Sequence, residues 1–338
     1  MLKAPKFWYI KKKSLYSQIL YPFSILFRIG TRIHKIISIE NKSPIPTICI
    51  GNIVVGGAGK TPVSMKICKL LQKAGYNPHF ISKGYAGIIK NSLIVENWHS
   101  AISVGDEPIL LSKIAKTWVG KNRVKSSYLA KNAGADCLIL DDGFQNPSIS
   151  KNISIVVIDG EQEFGNNKVM PAGPLRESVR RGLSRANAVI IIGKQSDQLK
   201  QRIPNTIPVF KANFEIDKNN EIFKGKNITA FAGIAYPDKF FTTLELQGAK
   251  IVKKVSFPDH HIYTENDLLD LVETTNKTKS ILVTTQKDFI RIPKSYRPLV
   301  KTLNGEISFE DEEVLVEIIS NILENFYVND NSINNEKY

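Results

Sequence analysis

The sequence predicts a mixed α/β protein whose strands form a mostly parallel sheet with helices on each side. Two observations support this fold class. From residue 43 onward short apolar runs alternate with helix-like runs, and several apolar runs are continuously hydrophobic, as expected of strands covered on both faces. A glycine-rich segment also separates the first strand from the first helix. The predicted strands are 45–50, 78–82, 137–140, 153–158 and 188–192, and the predicted helices are 63–74, 109–116, 123–133 and 195–201.

The composition changes near residue 204, which predicts a second, smaller α/β domain with elements at 228–232, 240–246, 251–255, 268–275 and 281–284. An exposed strand at 208–216 and a turn at 218–220 lead into it. Extended segments at 299–303 and 306–309 are expected to return and pair with that strand. The predicted division is an N-terminal amphipathic helix (1–42), a core domain (43–205), a linker strand (206–216), a smaller domain (217–298), a return linker with a terminal helix (299–326) and a polar tail (327–338).

The overall composition is that of a soluble globular protein. The chain has 338 residues, which exceeds one typical domain, and its 42% hydrophobic and 23% charged content is ordinary. The three cysteines, Cys49, Cys68 and Cys137, are odd in number and lack metal-type spacing. They are predicted to be buried thiols in a reducing compartment.

The first 42 residues are strongly basic and amphipathic. They carry nine Lys or Arg against Glu40 alone, which is +8 of the chain's net charge of +14. A basic excess that is confined to one end and mixed with aromatics favours a membrane surface over nucleic acid. The longest apolar run is too short to span a bilayer, and no cleavable signal peptide is expected. One helical face, interrupted near Pro22, carries Leu15, Ile19, Phe23, Leu26, Ile29, Ile33 and Ile37. That face is expected either to lie in a lipid headgroup region or to pack on the protein's own core.

The segment between the first strand and the first helix has the pattern of a phosphate-binding loop. The core G-G-x-G-K-T is complete, although Val54 stands where the full Walker pattern has glycine. Glycines let backbone N–H groups turn toward phosphate oxygens, and the following helix presents the positive end of its dipole. The alternative is a glycine-rich turn that binds nothing. The predicted nucleotide-binding residues are Gly56, Gly57, Ala58, Gly59, Lys60 and Thr61.

Carboxylates lie at the ends of two predicted elements of the core domain, one strand and one helix. Asp141 and Asp142 end an apolar strand, as expected of the Walker-B acid that serves Mg²⁺, although a helix cap is the alternative. Asp106 heads a helix, where it is either the N-cap or the carboxylate that a phosphate-loop kinase needs beside the acceptor hydroxyl.

Two further motifs carry charged or titratable groups. Arg176, with Arg180 and Arg181, follows a rigid proline-rich turn and is expected either to stabilise a transferring phosphate or to form a solvated helix face. His260 and His261 are adjacent, so they point to opposite sides and make a poor zinc site. A histidine–carboxylate pair in a cleft between domains is the favoured interpretation.

Taken together, these motifs resemble the tetraacyldisaccharide 4′-kinase family, the lipid A 4′-kinases of Gram-negative bacteria. The resemblance covers the chain from the N-terminal helix to about residue 326. The motifs that carry it, in order, are GNIVVGGAGKTP (51–62), ISKGYAG (81–87), VGDEPILL (104–111), ILDDGFQN (139–146), PAGPLRES (171–178), FAGIAYPDKFF (231–241), FPDHH (257–261) and VTTQKD (283–288).

The resemblance implies transfer of the ATP γ-phosphate, with Mg²⁺, to the 4′-hydroxyl of a tetraacyl glucosamine disaccharide 1-phosphate in lipid A (lipopolysaccharide) biosynthesis. It implies a P-loop NTPase-like α/β/α domain and a smaller α/β/α domain, joined by a two-stranded β linker, with the active site between them. It also implies a peripheral protein on the cytoplasmic face of the bacterial inner membrane. The expected partners are therefore the lipid substrate and the inner-leaflet surface, with neither nucleic acid nor a protein partner.

Matched motif by motif, the resemblance also assigns roles to residues. Asp106 is the expected catalytic base, paired with His260, and Arg176 is the expected charge stabiliser. Lys60 is expected to act in catalysis as well as in phosphate binding. The expected metal-site residues are Thr61, Asp141, Asp142 and Glu177.

The chain departs from the family pattern at Lys83, Asn146 and Val54, where arginine, histidine and threonine respectively are common. Two other classes stay open from the sequence. One is a partner-regulated P-loop ATPase or GTPase, although Lys287 and Asp288 are adjacent and so do not form the guanine-recognition signature. The other is a basic nucleic-acid-binding NTPase, which the terminal position of the charge disfavours.

Overall fold

The computed structural model describes residues 4–10, 14–85, 87–217 and 222–335. The lysine run at 11–13 and the turn predicted at 218–220 lie outside these ranges. In chain order the strands are β1 (Thr47–Gly51), β2 (Pro78–Ser82), β3 (Leu93–Ile94), β4 (Thr117–Val119), β5 (Cys137–Asp141), β6 (Ile153–Asp159), β7 (Ala188–Ile192), β8 (Val209–Ile216), β9 (Asn227–Ala232), β10 (Lys250–Ser256), β11 (Ile281–Thr285), β12 (Val300–Leu303) and β13 (Gly305–Phe309).

In the same order the α-helices are α1 (Leu15–Ile19), α2 (Tyr21–Ile37), α3 (Lys60–Lys73), α4 (Ala101–Val104), α5 (Asp106–Ser112), α6 (Arg123–Asn132), α7 (Val179–Leu183), α8 (Asp197–Arg202), α9 (Pro237–Leu246), α10 (Glu265–Thr278), α11 (Gln286–Arg291) and α12 (Glu312–Asn335).

The larger sheet confirms the predicted mostly parallel α/β fold. Its strand order is β13-β8-β7-β6-β1-β5-β2-β4-β3, and only the pairings β3–β4 and β8–β13 are antiparallel. The central strand β1 lies between β5 and β6, and every residue of β1 and β5 is buried. Two hydrophobic cores cover the two faces of this sheet, which explains the continuously apolar strands. The three cysteines are buried and unpaired, as predicted.

The smaller sheet has the order β10-β9-β11-β12 with all pairings parallel. It corrects one prediction, because the segment at 299–303 does not pair with the strand at 208–216. Instead β12 pairs with β11, with Val300 beside Leu282, and it buries Val300 and Leu303 in the smaller domain. The segment after it, β13, does pair antiparallel with β8 at the edge of the larger sheet.

The N-terminal segment forms two helices, α1 and α2, because Pro22 lies in the first turn of α2. Its polar side faces the protein: the Ser17 hydroxyl donates to the Ala172 carbonyl, and the Ser24 hydroxyl donates to the Val169 carbonyl, each at 2.7 Å. The apolar side faces outward, which excludes the own-core alternative for that face. The side chains of this outer face are 50–72% exposed and belong to Leu15, Ile19, Phe23, Leu26, Ile29, Ile33 and Ile37.

Among the residues described, no helix is both long and apolar enough to span a membrane. At the other end of the chain, α12 continues to Asn335 rather than stopping at 326 as predicted. Residues 327–335 contain neither proline nor glycine, so nothing in the sequence breaks the helix there.

Candidate active site

The glycine-rich loop connects the buried strand β1 to helix α3 at the carboxyl edge of the larger sheet. Gly59 is the N-cap of α3 with φ +78°, and Gly56 has φ +123°, so both adopt backbone conformations that favour glycine. The helix begins at Lys60, and its first-turn N–H groups lie at the loop, as an anion site requires. The chain around the loop therefore fits a nucleotide phosphate.

Asp141 is held between two hydroxyls of helix α3. The Thr61 hydroxyl donates to its Oδ2 at 2.9 Å, and the Ser64 hydroxyl donates to its Oδ1 at 2.8 Å. Burial, with the Glu107 carboxylate nearby, raises the pKa of Asp141 to about 6. A P-loop hydroxyl beside a strand-end carboxylate is the donor set that holds Mg²⁺ in phosphate-loop proteins, so these residues fit that ion.

Asp142 faces cations rather than capping a helix. Its Oδ1 lies 3.1 Å from Arg176 Nη1 and 3.8 Å from Lys60 Nζ. Burial alone would raise the pKa of Asp142, but Lys60 and Arg176 outweigh burial and lower it. The Arg176 guanidinium also donates to Gln145 Oε1 at 2.9 Å, so its position beside the loop is fixed at two points.

The carboxylate of Glu177 is engaged by an arginine rather than left free for a metal ion. Its Oε1 lies 2.5 Å from Arg185 Nη2, so the carboxylate is already neutralised by an ion pair. Within the described part of the chain, no three His, Cys, Asp or Glu side chains come together as a metal cluster. Mg²⁺ usually keeps several waters and takes only one or two protein carboxylates. The Thr61–Asp141 pair meets that requirement without Glu177. The other two arginines predicted here lie on α7, where Arg180 is exposed and Arg181 is half-buried.

Asp106 meets a histidine from the smaller domain. Gly105 is the N-cap of α5, so Asp106 is the first helical residue and not the cap. Its Oδ2 lies 3.1 Å from His260 Nδ1, and its Oδ1 accepts the backbone N–H of Glu107 at 2.9 Å. Burial opposes ionisation, but the His260 hydrogen bond and nearby cations lower the pKa of Asp106 to about 2. His261 points elsewhere, with Nε2 3.0 Å from Asp267.

Two residues that the sequence reasoning left without a role complete this cluster. Arg291 Nε lies 3.3 Å from Asp106 Oδ2, and the Arg291 side chain is fixed by the fully buried Asp288 at 3.1 Å. Lys287 Nζ lies 3.0 Å from Glu107 Oε1. The VTTQKD motif contained Lys287 and Asp288, but only the fold brings them to Asp106.

The smaller domain also reaches the glycine-rich loop. A Cβ atom at Gly56 would lie 2.8 Å from the Tyr236 hydroxyl, so that ring covers the loop closely. The Tyr236 hydroxyl shares a hydrogen bond of 2.8 Å with the Tyr9 hydroxyl of the N-terminal segment. Lys239 pairs with Asp159 at 2.7 Å and joins the two domains beside this contact. The two domains therefore contact each other both at Asp106–His260 and at the glycine-rich loop.

Comparison with known proteins gives one consistent result. The chain is 38% identical to a tetraacyldisaccharide 4′-kinase of Rhodospirillum centenum over 327 residues, covering 95% of this chain and 97% of the relative. A protein of the same name from Gluconobacter oxydans is 37% identical over 310 residues, covering 91% and 94% respectively.

Among solved structures, a crystal structure of LpxK from Aquifex aeolicus in complex with ATP matches with a TM-score of 0.74 and 28% identity. It covers 91% of this chain and 100% of that one. The family model described as tetraacyldisaccharide-1-P 4′-kinase matches residues 16–324. The chain therefore belongs to the tetraacyldisaccharide-1-phosphate 4′-kinase family, whose members are kinases.

Proposed function

We propose that this protein transfers the γ-phosphate of ATP to the 4′-hydroxyl of a tetraacyl glucosamine disaccharide 1-phosphate, a step of lipid A biosynthesis. The observation that carries the proposal is that the phosphate loop of the core domain is accompanied by a carboxylate–histidine pair formed between the two domains. The core domain supplies the phosphate loop with Lys60 and Asp141, and the Asp106–His260 pair joins the two domains beside it. Family membership supplies the identity of the lipid acceptor.

In the proposed reaction, the backbone N–H groups of residues 56–61 and the Lys60 ammonium hold the β- and γ-phosphates. Arg176 and Lys60 both contact Asp142, so the two cations lie near each other. Arg176 stabilises the charge on the phosphoryl group during transfer. Thr61 and Asp141 would hold Mg²⁺, which neutralises charge on the phosphates when bound. We assign no ligand role to Glu177, because Arg185 already neutralises its carboxylate.

Asp106 orients the acceptor hydroxyl and receives its proton. A bond forms between the 4′-oxygen and the γ-phosphorus, the bond from that phosphorus to the β,γ-bridging oxygen breaks, and ADP leaves. Phosphoryl transfer has a loose transition state, so the carboxylate can act mainly by orientation and take up the proton late. An ionised Asp106, consistent with its pKa of about 2, is the form that this role needs.

The acceptor's acyl chains stay in a bilayer, so the kinase has to work at the lipid surface. The outward apolar face of α1 and α2 is the part of this chain that fits such a surface. Arg28, Arg32 and Lys35 on α2 add positive charge suited to an anionic leaflet. We therefore place the protein peripherally on the cytoplasmic face of the inner membrane, with no nucleic acid or protein partner required.

The experiment is transfer of radiolabelled γ-phosphate from ATP to tetraacyl disaccharide 1-phosphate in detergent. Lys60→Ala should abolish transfer, and Asp106→Ala should lower kcat by roughly 10²–10⁴ while the Kd of ATP changes only a few-fold. Lys69→Ala is the matched control, because Lys69 lies on the same helix but only pairs with Glu306 at the surface. Lys60-dependent ATP hydrolysis without lipid phosphorylation would contradict the acceptor and favour a switch ATPase.

A further inference from the structure

Lys287, near the start of α11, lies at the centre of the cluster around Asp106 and has no part in the mechanism above. Its ammonium lies 3.0 Å from Glu107 Oε1, 3.4 Å from His260 Nε2 and 4.0 Å from Asp106 Oδ2. It therefore contacts the ring nitrogen of His260 that faces away from Asp106. A lysine ammonium has three hydrogens and no acceptor, so it can only donate.

This contact, together with the Asp106 carboxylate at the other ring nitrogen, decides which nitrogen of His260 carries the proton. If Lys287 donates to Nε2, then Nε2 bears the lone pair, and the single ring proton of the neutral imidazole is on Nδ1. Nδ1 is the atom 3.1 Å from Asp106 Oδ2, so His260 donates to the carboxylate. The Asp259 carboxylate does not compete for Nε2, because its Oδ1 lies 3.9 Å away, beyond hydrogen-bond distance.

We infer that Lys287 is a positioning residue that fixes His260 as the Nδ1–H tautomer, so that His260 can only donate to Asp106 and leaves Asp106 as the proton acceptor. The catalytic part of this inference rests on the proposed kinase function, and the tautomer itself does not. Without Lys287, the Asp259 carboxylate remains on the Nε2 side, 3.9 Å from that nitrogen. The ring would then face a carboxylate on each side, Asp106 at Nδ1 and Asp259 at Nε2, so the Nδ1–H tautomer would no longer be assured.

The charges around Asp106 support the same assignment. Lys287 is compensated by Glu107 at 3.0 Å, and Arg291 is compensated by Asp288 at 3.1 Å. Each cation thus has a carboxylate partner besides Asp106, and both cations also lie within 4.0 Å of Asp106 Oδ2, where they keep that carboxylate ionised. Burial would lower the pKa of Lys287, but Glu107 and Asp106 outweigh burial and raise it. Lys287 therefore remains an ammonium, which is the form that can donate to His260.

The test compares Lys287→Met and Lys287→Arg with the parent protein. The two measurements are steady-state kinetics and ¹⁵N NMR of protein labelled at histidine. The His260→Asn variant assigns the His260 signal. The NMR measurement needs no substrate. In the parent we expect the ¹⁵N pattern of an imidazole protonated at Nδ1. In Lys287→Met we expect the His260 spectrum to shift toward protonation at Nε2. We expect kcat to fall by about 30- to 100-fold in Lys287→Met, with the KM of ATP changed less than about threefold. Lys287→Arg, which also only donates, should restore the Nδ1–H pattern and much of the rate.

Lys239→Met is the matched control, because it removes another lysine ion pair between the domains without touching His260. It should leave the His260 signal unchanged. An Nε2–H pattern in the parent, or an unchanged pattern in a folded Lys287→Met protein, would overturn the inference. The parent's spectrum tests the tautomer by itself, and the spectrum of Lys287→Met tests whether Lys287 maintains it. Failure of lipid phosphorylation by the parent, with the Nδ1–H pattern present, would instead refute the proposed function and leave the tautomer assignment intact.

Discussion

Replacing Phe23, Leu26 and Ile29 by serine should release the protein from lipid surfaces. These three side chains of the outer face are 56%, 65% and 50% exposed, so roughly half to two-thirds of each is available to lipid. Complete burial of such a side chain is worth about 1.5–3 kcal/mol, so each contributes about 1–1.5 kcal/mol here. The triple substitution should therefore cost about 3–4.5 kcal/mol, which corresponds to a roughly 10²- to 10³-fold weaker partition coefficient.

The assay is flotation of purified protein with vesicles that contain anionic phospholipid. The matched control is the triple variant Leu246→Ser, Leu269→Ser and Val314→Ser, since these side chains are similarly exposed at 79%, 53% and 49% but lie elsewhere on the molecule. It should bind vesicles like the parent. Equal vesicle binding by the Phe23, Leu26 and Ile29 variant would refute the assignment of α1 and α2 to the lipid surface. Equal loss in both variants would show that exposed apolar area in general, not this face, drives the binding.

Two other predictions concern stability. Asp106 has a pKa of about 2 in the folded protein against an ordinary value of 3.8, so it should contribute about 2 kcal/mol that is fully present above pH ~4 and lost as the pH falls toward 2. Thermal unfolding of Asp106→Asn should therefore depend less on pH in this window than that of the parent, and parallel curves would contradict the stated pKa. Gly56→Ala should lower the free energy of unfolding by about 1–3 kcal/mol without nucleotide, because φ is +123° and the new Cβ would meet the Tyr236 hydroxyl at 2.8 Å. Gly57→Ala, whose nearest neighbour would be 3.8 Å away, should change it by less than about 0.5 kcal/mol in urea titrations, and equal losses in the two variants would refute this reasoning.

The secondary-structure elements that could be predicted are those marked by a pattern of residues within the element itself. The strand at 188–192 was located to the residue, because a continuous apolar run between Asn187 and Gly193 marks a buried parallel strand. The strands at 93–94 and 117–119 were not predicted, since two or three residues are too few to show a period. The strand at 300–303 was recognised but given the wrong partner. Strand pairing depends on residues that are distant in sequence. Here β12 pairs in parallel with β11, and the local sequence pattern does not show this.

The same distinction applies to the candidate site. The glycine-rich loop and the Asp141–Asp142 pair follow single strands, so a local pattern could locate them. Lys287 approaches Glu107 from 180 residues away along the chain, and that approach exists only because the two domains meet. Motif matching alone singled out Glu177 for the metal site, but its carboxylate is paired with Arg185. A charged residue in a motif identifies a region, whereas its role depends on which opposite charge lies nearest in the fold.

The N-terminal segment links the proposed lipid surface to the nucleotide site. The Trp8 indole N–H donates to the Pro171 carbonyl at 3.0 Å, and the Tyr9 hydroxyl bonds to the Tyr236 hydroxyl at 2.8 Å. Tyr236, in turn, covers Gly56 of the loop. The outer face of α1 and α2 is therefore connected through a few direct contacts to the loop and to the smaller domain. A kinase whose acceptor stays in a bilayer needs this connection, because phosphoryl transfer depends on holding the hydroxyl in line with the γ-phosphate. If the proposed lipid binding occurs through α1 and α2, it would therefore act on the same contacts that join the N-terminal segment to the loop and to the smaller domain.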